Sequence, residues 1–253
     1  MMKKLSFWIL LPVVLLVVTA KSQVEETDRQ YTLTVDASYW SRYIRWGFDL
    51  NDGRPVFQPS IMSELPLGFS VEVSAFIGSE RMQLDEVDAA LSFQQAIIPK
   101  LVHMSVSFYD YEYVQREESN SLTGNGSPSS SQEIIVGLST QSIPVDVSLE
   151  FGRGLGAKDE NNNGGNYFGA SLGKDFEIGQ TILSSVLSAV YLDQYEIPKR
   201  ITELSLENSL SFDVGGLTMQ PKLSFVYLPE PELLNESDED KIILWGMSIS
   251  YGW

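Results

Sequence analysis

Residues 241–253 read KIILWGMSISYGW, and apolar side chains recur at every second position from Ile243 through Trp245, Met247, Ile249 and Tyr251 to Trp253. A period of two belongs to a strand with one apolar face. The same pattern fills most of the preceding chain. Leu204, Leu206, Leu210 and Phe212 alternate with Glu203, Ser205, Glu207, Ser209 and Ser211, and Leu217, Met219, Leu223 and Phe225 follow. Val145, Val147, Leu149 and Phe151 alternate with Asp146, Ser148 and Glu150. Further sets run through Tyr31–Tyr39, Phe57–Ile61, Phe69–Ile77, Val87–Phe93, Val102–Phe108, Ile134–Leu138 and Phe168–Leu172. Thr181–Leu192 is also a strand, but both of its phases are partly apolar and its facing stays open.

These runs amount to about twelve strands, each near the 9–11 residues that cross a bilayer when tilted. The connections alternate in length. Leu65–Gly68, Ile98–Lys100, Ser142–Ile143, Glu177–Gln180 and Asp213–Gly216 are short. Gly78–Glu86, Gln115–Ser131, Arg153–Gly165, Asp193–Arg200 and Pro229–Asp240 are longer and polar. Short turns on one side and long loops on the other match transmembrane barrels, whereas a secreted β-sandwich has no reason for the asymmetry. The predicted fold is an all-β, antiparallel transmembrane β-barrel of about twelve strands. Pro59 and Pro221 fall inside strands, and proline cannot donate to a ladder. A closed barrel has no edge strand, so each is expected at a bulge or beyond the paired region.

The N-terminus predicts export. Lys3 and Lys4 precede an apolar run, Phe7–Val18, interrupted only by Pro12. Val18-Thr19-Ala20 or Ala20-Lys21-Ser22 supplies the small residues before a cleavage site. Residues 1–22 are therefore read as a signal peptide and 23–253 as the barrel. With no cysteine, the chain is not expected to be a lipoprotein, and a disulfide framework, thiol nucleophile or CxxC metal site is excluded. A single histidine excludes any multi-His metal centre. Net charge is −17, and cleavage would remove three lysines and no acid, leaving −20. Such a chain repels phosphates, so no nucleic-acid partner is expected. No cofactor or metal is expected either. The expected partners are outer-membrane lipids and lipopolysaccharide.

In lipid the apolar phase faces hydrocarbon and the other lines the lumen. That second phase is rich in serine and carries Asp36, Glu72, Asp88, Asp146, Glu150, Glu203 and Glu207, against the basic Arg42, His103 and Lys222. A small polar lining admits water, and an acidic one favours cations. The alternative is that the charges pair across a filled lumen, because about eight strands are just filled by side chains and 16–18 leave a channel. Aromatic residues gather near strand ends. Tyr39, Trp40, Trp245, Tyr251 and Trp253 are assigned to a membrane girdle. Tyr43, Trp46, Tyr109, Tyr111, Tyr113, Tyr191, Tyr195 and Tyr227 belong to the same clusters, with a sugar-stacking path in the lumen as the alternative.

An aromatic last residue, Trp253, on an alternating final strand resembles the C-terminal signature of bacterial outer-membrane proteins. That resemblance implies recognition by the barrel-assembly machinery. His103 and Ser105 resemble the His-x-Ser pair of outer-membrane phospholipases and lipid A deacylases, in which the histidine is base to the serine hydroxyl. Those enzymes turn the pair toward lipid; alternation here predicts the inward phase. Asp159–Gly164 matches half of a calcium loop, but Ala170 stands where the closing acid belongs. Glu230–Asp240 reads as a solvated acidic loop. The stretch 41–48, SRYIRWGF, followed by 51–59, NDGRPVFQP, resembles the start of the Gcw_chp family of exported bacterial proteins of unknown function. The resemblance covers mainly residues 33–77. It implies an outer-membrane β protein and supplies no catalytic residues. Asp52-Gly53 reads independently as a hairpin turn. The expected function is a narrow channel or uptake pore for small, cation-favoured polar solutes. A non-conducting structural or adhesive barrel working through external loops is the alternative. A lipid hydrolase using His103 and Ser105 is a third reading.

Overall fold

The computed structural model describes residues 31–45, 48–51, 53–78, 83–113, 130–140, 144–157, 165–193, 200–229 and 239–252. The signal segment, the Asp159–Gly164 loop, Trp253 and most of the loops Gln115–Ser131 and Pro229–Asp240 lie outside the described residues. In chain order the strands are β1 (Thr32–Trp40), β2 (Ile44–Arg45), β3 (Phe48–Asp49), β4 (Val56–Leu65), β5 (Phe69–Gly78), β6 (Gln83–Ile98) and β7 (Val102–Tyr113). They continue as β8 (Ser130–Thr140), β9 (Asp146–Ala157), β10 (Asn166–Ile178), β11 (Thr181–Asp193), β12 (Arg200–Val214), β13 (Leu217–Tyr227) and β14 (Lys241–Gly252).

Twelve of these close into an antiparallel barrel in sequence order, with β1 pairing both β4 and β14, while β2 and β3 form a separate two-stranded hairpin. Alternation sets the two faces. Val73, Leu206, Leu223, Phe225, Ile243, Trp245 and Ile249 are exposed on the outside. Ser74, Asp88, Ser205, Ser209, Ser224 and Ser248, on the opposite phase, are buried. An outward apolar surface with an inward polar one is the inverse of a soluble protein and suits a bilayer. Rings mark both rims. Tyr39 packs on Trp245 with centroids 5.3 Å apart, and Phe168 lies between Phe151 and Tyr191, all near the long-loop end. Phe69 and Phe93 pair near the short-turn end, where Tyr251 is also exposed.

Both prolines depart from expectation. Pro59 stays in register with Ala37 on β1. On its other side the ladder skips from Phe57↔Ile77 to Ser60↔Ser74 without a shift. Pro221 likewise pairs with Met247, while the ladder to β12 skips from Ser209↔Lys222 to Phe212↔Met219. Each proline costs a local gap on one side only, with neither bulge nor strand end. The bulges lie elsewhere: at Phe76/Ile77, Ala96/Ile98, Gln132/Glu133 and Val190/Tyr191.

Two inward glycines are floors for rings on the neighbouring strand. Tyr167 pairs with Gly152, and a Cβ there would stand 1.9 Å from Tyr167 Cε1. Trp40 pairs with Gly246, where a Cβ would meet the Tyr39 carbonyl oxygen at 2.6 Å and Trp40 Cε3 at 2.7 Å. Covering a strand glycine with a cross-strand aromatic pins register. Gly152→Val is expected to destabilise the barrel by about 1–3 kcal/mol through overpacking. The urea midpoint of the purified protein in micelles checks this; an unchanged midpoint would mean the Tyr167 ring moves aside freely.

Candidate functional site

β1 and β4 are joined by the 41–55 segment, which turns into the barrel. The proof is its partners, which come from strands all around the wall. The Tyr43 ring stacks on Phe76 of β5 at 4.7 Å. Ile44 packs against Val226, Leu228, Ile242 and Leu244, on or beside β13 and β14. Phe48 packs with Tyr167 of β10 and Leu192 of β11, joined by Leu50, Ile135 and Val190. Arg45 reaches β7 and β8, as described below. No position outside the barrel touches all these inner faces at once. The segment therefore caps the lumen at the long-loop end, the end at which β1 finishes and β4 begins.

The cap is tied by hydrogen bonds within itself and to the wall. Ile44↔Asp49 and Arg45↔Phe48 are the hairpin's ladder, and Gly53 lies outside it. Asn51–Arg54 is a separate β-turn, closed by Arg54 N–H donating to the Asn51 carbonyl at 2.9 Å, with Gly53 at φ +72°. The Asp49 carboxylate accepts from Gly53 N–H at 2.7 Å, Asn51 N–H at 3.2 Å and Arg42 Nε at 2.6 Å. Arg42 also donates to Glu239 at 2.6 Å, tying the cap to the β13–β14 connection. Arg42, expected among the lumen-lining residues, is thus a clamp at the mouth. It lies two residues past the end of β1, so strand alternation does not govern it. Three of the four bulges, at Phe76/Ile77, Gln132/Glu133 and Val190/Tyr191, adjoin residues that grip this hairpin. A bulge re-aims side chains, and here the side chains re-aimed are those of the grip.

The Arg45 guanidinium lies over Tyr111, its Cζ 4.4 Å from the ring centroid, and donates to the Tyr111 hydroxyl oxygen. It also donates to Glu133 Oε2 at 3.4 Å, and the Tyr111 hydroxyl donates to the same oxygen at 2.9 Å. Tyr109 stacks parallel to Tyr111, with centroids 5.8 Å apart. Tyr109 and Tyr111 therefore serve the interior near the long-loop mouth rather than the outer girdle.

The rest of the inner wall is polar. Asp36, Glu72, Asp88, Asp146, Glu150, Glu203 and Glu207 occupy the inward phase of β1, β5, β6, β9 and β12, in line with Ser60, Ser74, Ser148, Ser188 and Ser205. The serines bond to neighbours on adjacent strands: Ser92 to Ser107 at 2.8 Å and Ser188 to Ser205 at 2.9 Å. Ser38 donates to Asp36 at 2.6 Å. Lys222 is also inward, and its Nζ stands 5.1 Å from the Trp40 ring centroid. Trp40, expected at the girdle, is inside. Gly246 between them offers no side chain, so Lys222 and Trp40 meet across it. Tyr39, Trp245 and Tyr251 face outward. His103 and Ser105 share the inward phase of β7, opposite Ser139 and Gly137.

Sequence reading missed the cap as an interior element, and with it Arg45, Tyr111 and Glu133. The available signal was the aromatic and aliphatic content of residues 43–50, which is excessive for a solvated loop.

No protein-family model and no curated protein matches the chain at the sequence level. Among solved structures the barrel is similar to the NanC porin, with a TM-score of 0.57 and 8% identity over 87% of this chain and 98% of that one. It is also similar to the KdgM porin, with a TM-score of 0.54 and 8% identity over 86% of this chain and 98% of that one. At that identity the likeness is one of fold: a porin-like, twelve-stranded, outer-membrane type of barrel.

Proposed function

We propose that the chain is a narrow channel of the bacterial outer membrane that favours small cationic or neutral polar solutes, with its long-loop mouth constricted by the 41–55 cap. The observation that carries this reading is the rest of the inner wall, built of short serines and carboxylates on a twelve-stranded ring. Twelve strands enclose more than the eight that side chains just fill. Fixed negative charge on a low-dielectric wall concentrates cations and repels anions. KdgM porin has been solved with oligogalacturonate, a polyanion. The acidic wall here argues for solutes of the opposite sign.

The double change Glu203→Gln and Glu207→Gln tests the reading. Both acids lie on the inner phase of β12, opposite Val190 and Val186. Reversal potential across planar bilayers in a salt gradient should move toward zero in the mutant. A conducting wild type whose ion preference ignores both changes would remove these residues from the path.

The second reading is a non-conducting barrel, and the cap's contacts with the inner faces around the wall favour it. A wild type that never conducts would select it. Location is tested separately. An epitope inserted after Gly126, between β7 and β8 and ahead of Ser130 where β8 begins, should be labelled on intact cells, because that connection belongs to the long-loop, outer end. Labelling only after permeabilisation would invert the topology.

A further inference from the structure

Arg45 sits in a cage that belongs mostly to the wall. Tyr111 and Glu133 stand on adjacent strands, and the Tyr111 hydroxyl donates to the Glu133 carboxylate at 2.9 Å independently of the cap. Tyr109 backs the ring of Tyr111 in a nearly parallel stack, 4° between planes. The wall thus presents an aromatic face with a carboxylate at its edge. That combination recognises a planar cation: the ring attracts the charge through its quadrupole, and the carboxylate takes the N–H donors. Glu133 and Tyr111 are almost wholly buried, at 3% exposure each, in the presence of the cap that delivers Arg45.

We propose that Tyr111 and Glu133, backed by Tyr109, form a subsite for a guanidinium-class organic cation, which Arg45 occupies in cis. A permeating cation of this class exchanges with Arg45 there, so the cap is a tethered competitor of the solute. This rests on the cation-favouring reading of the lumen and names the class of cation. A compact ammonium ion lacks the plane that matches the ring and the fork that matches the carboxylate, so it binds the cage more weakly.

The test is calorimetric titration of the purified, folded mature protein in micelles with methylguanidinium chloride. Methylammonium chloride and sodium chloride are the controls. Arg45→Met should bind methylguanidinium saturably, at least about tenfold more tightly than wild type, because the tethered guanidinium no longer competes at high effective concentration. Arg45→Lys should fall between the two, and it replaces Arg45→Met if that variant does not fold. Adding Glu133→Gln to either variant should abolish the gain. Equal affinity in wild type and both Arg45 variants, or equal binding of methylammonium, would overturn the subsite. Because the readout is binding, the two readings can fail separately. Methylguanidinium binding by Arg45→Met, with no ion preference of wild type in bilayers, would keep the subsite and remove the channel. Cation preference without binding would do the reverse.

Discussion

Replacing residues 41–55 with Asn-Gly should raise single-channel conductance several-fold. The replacement is geometrically mild for the wall. Trp40 and Val56 are direct partners at the end of the β1–β4 ladder, so a two-residue type I′ turn can join them in the existing register. Every ladder of the twelve-stranded ring survives, because the cap contributes only the two pairs of its own small hairpin. What is lost is the body packed against Phe76, Tyr167, Leu192, Ile242 and Leu244. Water then reaches the mouth-side acids Asp88 and Glu133, so cation preference should sharpen as conductance rises. The measurement is conductance and reversal potential in planar bilayers, for wild type and variant side by side. Equal conductance in both would show that the narrowest point lies below the cap. Silence in both would favour the non-conducting barrel.

The barrel was legible because its determinant is local and repeated. Period-two alternation sorts lipid from lumen on each strand without knowledge of its neighbours, and Ile243 to Tyr251 shows it as clearly in sequence as in structure. The cap was not legible because its determinant is non-local. Its traces are apolar residues on the wrong phase at the long-loop ends of strands: Ile135, Val190, Leu192, Val226, Ile242 and Leu244. Each alone is an inward aliphatic of no evident purpose. Together they form two inner clusters, one against Phe48 and one against Ile44, which only the strand register reveals. The first of these clusters explains why the facing of Thr181–Leu192 could not be read. Val190 and Leu192 are inward because they meet Phe48 and Leu50, while outward Ser185 donates to Asn208 on the next strand at 2.8 Å. Trp40 was misplaced for a related reason. Strand-end aromatics usually serve the interface, but this one has Gly246 beneath it and Lys222 above, and neither neighbour is close in sequence. Arg42 belongs to a clamp whose acids, Asp49 and Glu239, are 7 and 197 residues away.

Arg45→Met should be among the most destabilising single changes in the cap. The substitution keeps the length and much of the bulk of the side chain, so little packing is lost. It removes the cation that Glu133 faces, and the Glu133 side chain is only 4% exposed. Breaking a buried pair from one side leaves an uncompensated charge, at a cost of about 3–5 kcal/mol. The second change separates this from a packing defect. Glu133→Gln in the Arg45→Met background removes the stranded charge and keeps an acceptor oxygen for the Tyr111 hydroxyl, so it should restore a large part of the loss. Urea midpoints of wild type, both single variants and the double variant close the cycle, and the coupling energy is the quantity to read. Since the cap is tied down at Arg42 and packed at Ile44 and Phe48 as well, the loss should appear first as opening of the cap: proteolysis within 41–55 in the folded, heat-modifiable barrel, ahead of global unfolding. Additive effects of the two changes would mean that Glu133 is held by Tyr111 alone and that Arg45 is a bystander in the cage.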